Sequence, residues 1–136
     1  CYCLGYLWNR GDEVGDATDP NTGRKIEFKA TSRFEGDLSS FGPKCVFDDL
    51  VFLRFKLDEN LLYIYDLNIN SEEFGKYPAN KTQTIQEQKN QGRRSHVSLQ
   101  TLFVDANNLE PDIIFDIRRC KAYNRVSEYY QRLIGK

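Results

Sequence analysis

The feature that most limits how this chain folds is a turn set between two short runs near its start. Asp19-Pro20-Asn21-Thr22-Gly23 joins a proline, which presets a turn φ, to asparagine and glycine, which tolerate left-handed backbone. After it, Lys25-Ile26-Glu27-Phe28-Lys29 alternates polar and apolar side chains with the period of a β-strand. The segment from Asp16 to Thr31 therefore reads as a hairpin. Closed symmetrically about Asn21-Thr22, it sets Asp19 opposite Arg24 and Asp16 opposite Glu27. Directly opposed residues share a face, with Cβ atoms about 5 Å apart. Asp16, Glu27 and Lys29 then converge on one side, while Ile26 and Phe28 enter the core on the other. Asp19 falls at the mouth of the turn, roughly 10 Å from the level of Glu27 at strand rise. A bulge at Gly23 would shift the register by one residue and weaken this convergence.

That grouping suits hydrolysis of a phosphodiester. Two carboxylates, Asp16 and Glu27, suit a hard cation such as Mg²⁺, which favours oxygen ligands and keeps several waters. The cation polarises the scissile phosphate, and the Lys29 ammonium beside it stabilises the transition state or orients the nucleophile. Charged alternation alone also describes an ordinary solvated strand face, so the rest of the chain has to decide.

At 136 residues the chain suits a single domain, 1–136, with a real hydrophobic core. Net charge is -1, so composition does not argue for nucleic acid, although local basic patches coexist with overall neutrality. No apolar run reaches bilayer-spanning length and no signal peptide is recognisable, which predicts a cytoplasmic protein. Cys1, Cys3, Cys45 and Cys120 lack the spacing of zinc knuckles, and His96 is the lone histidine. Free thiols are expected, and a nuclease of the histidine–metal type is disfavoured. The chain opens at Cys1 in what reads as folded sequence, so an N-terminal helix is expected upstream.

Residues 1–15 read as the end of a helix plus a loop. Strands are expected over 50–57 and 61–69, joined at Asp58-Glu59-Asn60, and over 112–117. Phe52, Phe55, Tyr63 and Tyr65 on these strands read as core, and Lys44, Arg54 and Lys56 as solvated charges. The polar piece 70–91 reads as loop, and 126–134 as a terminal helix. Leu99, Leu102, Phe103 and Ala106 have the spacing of an amphipathic helix over 98–107. The sum is an α+β domain with a central mixed sheet and flanking helices.

The run Gly15-Asp16-Ala17…Ile26-Glu27-Phe28-Lys29-Ala30-Thr31-Ser32 resembles the active-site hairpin of the PD-(D/E)XK nuclease superfamily. With 36–43 and 88–98, it is similar to the small bacterial type II restriction endonucleases that cut short GC-rich sites with an unspecified central base. Gly15 replaces the eponymous proline. The resemblance implies a restriction-endonuclease-like core in which Asp16 and Glu27 bind Mg²⁺ and Lys29 assists attack by water. It also implies cutting of double-stranded DNA that leaves 5′-phosphates. A homodimer is expected, because a two-fold protein matches a palindromic site. A methyltransferase is expected in the same system.

DNA recognition is expected from Gln88, Gln91, Arg93, Arg94, Ser95 and His96, since arginine forks grip guanine O6 and N7 or phosphate oxygens. Thr31, Ser32 and Arg33, with Ser39 and Ser40, are expected at backbone phosphates. His96 reads as a structural or phosphate-contacting residue rather than a catalyst. Two other functions remain open from sequence: a repair or junction-resolving nuclease of the same superfamily, and a catalytically inactive DNA-binding domain.

Overall fold

The computed structural model describes residues 4–9 and 14–124. Within these residues the strands are β1 (Leu7–Trp8), β2 (Ala17–Thr18), β3 (Lys25–Thr31), β4 (Ser39–Phe41), β5 (Asp49–Lys56), β6 (Leu61–Asp66), β7 (Ser95–Val97), β8 (Ile113–Asp116) and β9 (Lys121–Tyr123). The helices are short: α1 (Ser71–Gly75), α2 (Ile85–Asn90) and α3 (Gln100–Asp105). One sheet runs β1-β2-β3-β5-β6-β8-β9, and β4 pairs with β7 in a separate ribbon. Only the β3–β5 pair is parallel within the large sheet, so the expected α+β class with a central mixed sheet is observed.

β5 explains the layering. Its residues Leu50, Val51 and Phe52 are almost fully buried, because both faces of a central strand are covered. Leu50 and Phe52 point to a large core with Phe41, Phe47, Phe74, Leu99 and Phe103. Val51 points to a smaller core with Ala17, Ile26, Ile64 and Ile113. The parallel β3–β5 step requires a crossover, and the chain uses it to lay β4 over the first of these faces.

Several expectations are corrected. The supposed loop over 70–91 contains α1 and α2. Asn70 caps the first, its side chain accepting from Glu73 N–H. Thr84 and Glu87 form a reciprocal capping box on the second. Residues 7 and 8, read as part of a helix end and loop, form the edge strand β1. Arg54 is not a solvated charge: it is buried, stacks on the Phe34 ring at 3.9 Å, and donates to Phe34 O and Tyr65 Oη. A guanidinium on a covered strand has to take such partners, because an unpaired charge there is costly. The helix over 98–107 exists, but α3 is wound in π form. Its wider turn buries Val104 beside Leu99 and Phe103 and leaves Ala106 exposed. Phe52 and Tyr65 are core, as read, while Phe55 and Tyr63 are half-buried. Lys44 is exposed, as read. The expected helix over 126–134 lies outside the described residues.

Candidate active site

The hairpin closes in the symmetric register. Thr18 pairs with Lys25 and Ala17 with Ile26, and Asp19 N–H donates to Arg24 O at 3.0 Å. Gly23 takes a left-handed φ of +73° inside the loop without shifting the ladder. The expected pairing of Asp16 with Glu27 does not form: the ladder ends at Ala17–Ile26, and Asp16 N–H donates to Ile26 O at 2.8 Å, so Asp16 and Ala17 both face Ile26. Gly15 sets this bend with a φ of +76°, and a Cβ there would stand 3.0 Å from Ile26 O. Proline, fixed near φ −65°, cannot occupy such a position, which gives a physical reason for Gly15 before the acidic residue. The bend brings the Asp16 carboxylate to β3, where Oδ2 accepts from Phe28 N–H at 2.8 Å.

Glu27 and Lys29 project to the same face of β3, and Lys29 Nζ lies 3.4 Å from Glu27 Oε1. Both are half-buried. Burial, followed by the negative charge of Asp16, raises the Glu27 pKa above the ordinary carboxylate value, against the opposing pull of Lys29. Asp16, Glu27 and Lys29 thus form one electrostatic cluster. Asp19 stays at the turn, where Oδ1 accepts from Asn21 N–H at 2.9 Å.

Three residues that sequence reading missed complete the surroundings. The Cys45 thiol is pushed up to about 11, first by burial and then by Glu27, so it stays protonated beside the Glu27 carboxylate. Lys89 on α2 donates to Cys45 O at 3.0 Å. The Phe41 ring on β4 lies 4.8 Å from Lys29 Nζ. None is signalled by local pattern, since each comes from a different element. Cys45 and Cys120 are free thiols, whereas Cys1 and Cys3 lie outside the described residues.

The expected DNA-contacting residues separate into two sets. Gln88 and Ser95 are buried, and Ser95 Oγ donates to Gln88 Oε1 at 2.8 Å. They tie α2 to β7, on the inward face of the short strand. Gln91, Arg93, Arg94 and His96 are exposed. Arg93 Nη1 donates to Gln83 and Gln91, and Arg94 Nη1 donates to Ser40 Oγ at 3.0 Å. Ser40 is opposite His96 in the β4–β7 ribbon. Ser40 therefore shares an outer face with Arg94 and His96, whereas Ser39, expected at a phosphate, is buried and donates to Asp37 Oδ2 at 3.2 Å. Thr31 turns its hydroxyl onto the backbone of Arg33, leaving Ser32 and Arg33 exposed just past β3.

A family model for the Bsp6I restriction endonuclease matches residues 1–106. The type II restriction enzyme Bsp6I of Bacillus sp. (strain RFL6) is 41% identical over 121 residues, covering 89% of this chain and 69% of that enzyme. No solved structure matches the chain significantly. No helix among the described residues is long and apolar enough to cross a membrane. With 41% identity across most of its length and a family match extending from the hairpin through the ribbon to α3, the chain belongs to the Bsp6I restriction endonuclease family.

Proposed function

We propose that this chain is a type II restriction endonuclease of PD-(D/E)XK architecture, hydrolysing phosphodiester bonds of double-stranded DNA at a short specific site. The observation that supports the reading is the clustering of the Asp16 charge with Glu27 and Lys29 beside β3, in a chain of a restriction endonuclease family. The donor set fits Mg²⁺. It is composed of hard carboxylate oxygens, and the mutual repulsion of Asp16 and Glu27 is relieved by a cation between them. No cluster of three or more His, Cys, Asp or Glu side chains suited to a metal occurs among the described residues. Two carboxylates leave most of a cation's coordination sphere to water, as Mg²⁺ prefers.

When bound, Mg²⁺ supplies Lewis acidity toward the scissile phosphate. The chain supplies the rest. Asp16 is held by the Phe28 amide, and Glu27 by Lys29. In this reading the Lys29 ammonium would neutralise charge on the phosphate as water attacks and orient that water, the products keeping a 5′-phosphate. Arg93, Arg94, Gln91 and His96, with Ser32, Arg33 and Ser40, form the DNA-facing surface. Arginine forks suit guanine O6 and N7, consistent with a GC-rich site containing an unspecified central base. A palindromic site calls for a homodimer, and protection of host DNA calls for a companion methyltransferase.

The test is incubation of purified protein with plasmid DNA, in Mg²⁺ and in EDTA. Sharp fragments in Mg²⁺ alone are expected. Lys29→Ala should reduce cleavage by about 10²–10³-fold, and Glu27→Ala should abolish it, with metal-free DNA binding kept by both. Retained cleavage in either variant would remove the active-site assignment. Asp16→Asn should be far more damaging than Asp19→Asn, and the opposite ranking would put the metal site at the turn.

A further inference from the structure

A lysine ammonium at the end of a four-carbon stem is a mobile charge unless something holds it. Among the described residues, Glu27 Oε1 at 3.4 Å and the face of Phe41, its centroid at 4.8 Å, meet Lys29 Nζ. A carboxylate engaged with a metal has less charge to offer the ammonium, which leaves the ring as the restraint that does not depend on the cation. The ring is itself fixed. Phe41 is buried, with Phe74 at 4.5 Å and Phe47 at 6.4 Å between centroids.

Phe41 also has a particular address. It is the inward residue of β4, directly after Ser40, and it pairs with Ser95 of β7. Side chains alternate along a strand, so the ribbon turns Ser40 and His96 outward while it turns Phe41 toward Lys29. Arg94 is tied to the same ribbon through Ser40 Oγ.

We infer that Phe41 is a positioning residue for the cleavage reaction: its π face holds the Lys29 ammonium at the site and links that charge to the β4–β7 ribbon. The inference rests on the proposed catalytic role of Lys29. Its distinguishing property is dependence on the electron density of the ring rather than on its volume.

The experiment replaces Phe41 with mono-, di- and trifluorinated phenylalanine, which keep the shape and progressively drain the negative face. Lys29→Ala and Phe41→Leu are measured in parallel. Single-turnover cleavage should fall in step with fluorination, by roughly three- to thirtyfold for the trifluorinated ring. Melting temperature and metal-free DNA affinity should stay level across the series. In the metal-free protein, the Lys29 Hε protons should show an upfield ring-current shift that Phe41→Leu removes. A flat cleavage series, with Lys29→Ala inactive, would overturn the inference and leave the active-site reading standing. Cleavage retained by Lys29→Ala would overturn both.

Discussion

At the first residue of β5, Asp49 is fully buried on the face of the sheet opposite Glu27 and Lys29. Its Oδ1 accepts from Leu50 and Ile69 N–H, but Oδ2 meets no donor. The Asp66 carboxylate lies within hydrogen-bond reach. Burial, then Asp66, pushes Asp49 up to about 7, against a weaker opposing pull from Arg24. The native state therefore keeps a proton on Asp49, shared toward Asp66, that the unfolded chain releases near pH 4. A raised carboxyl pKa stabilises the fold fully below the unfolded value, and that contribution is lost as pH rises toward 7. Asp49→Asn preserves the acceptor for the two amides and replaces the acid proton with an amide N–H facing Asp66. It should flatten the fall in melting temperature between pH 4 and 7 and raise stability at pH 8, by an amount on the order of a few kcal/mol. Parallel pH profiles for the two proteins would contradict a shared proton. Nothing in the sequence around Asp49 announces this carboxyl pair, because its partner arrives from β6. Glu27 and Lys29 were readable, since alternation along one strand is enough to put them on one face.

Among the elements, α2 shows what sequence signals were present and passed over. Thr84-Ile85-Gln86-Glu87 is a capping-box pattern, and its two reciprocal bonds form at 3.2 Å and 3.1 Å. A six-residue helix is too short to stand on propensity, so the cap and the burial of Ile85 and Gln88 hold it. Thr84→Ala should cost about 1 kcal/mol and lower the melting temperature by roughly 3–6 °C, with Thr84→Ser restoring most of the loss. An unchanged melting temperature would mean that packing alone fixes the helix. The β4–β7 ribbon was harder to read. Its three-residue strands sit in polar sequence, and their pairing bridges more than fifty residues of chain. The same ribbon gives Gly42 a role: a Cβ there would stand 3.2 Å from Arg94 Nη2. Gly42→Ala should therefore displace the flexible guanidinium with little loss of stability. The expected outcome is altered site choice at a near-native melting temperature, measured by sequencing the fragment ends. Unchanged site choice would argue against Arg94 as a reader of DNA.

For the whole molecule, a net charge of -1 makes affinity for DNA depend on where the cations stand. The proposed dimer is tested by sedimentation velocity, in which a species of twice the chain mass should appear with a palindromic duplex. A monomer under all conditions would remove the two-fold reading. What the sequence alone determined is the local part: the hairpin, its register as far as Ala17–Ile26 but not the pairing of Asp16, the shared face of Glu27 and Lys29, and the β5–β6 strand pair. Turn chemistry and the period of two act over a few residues, so no distant contact is needed to set them. Tertiary structure decided what surrounds the hairpin. The crossover between parallel strands carried Phe41 and Cys45 over β3, α2 delivered Lys89, and the ribbon brought Arg94 to Ser40. Tertiary packing also buried Arg54, Gln88 and Ser95, whose polarity had suggested the surface. Which side of a short polar strand meets the core is settled by the packing of the whole sheet, and that information is spread over residues far apart in the chain.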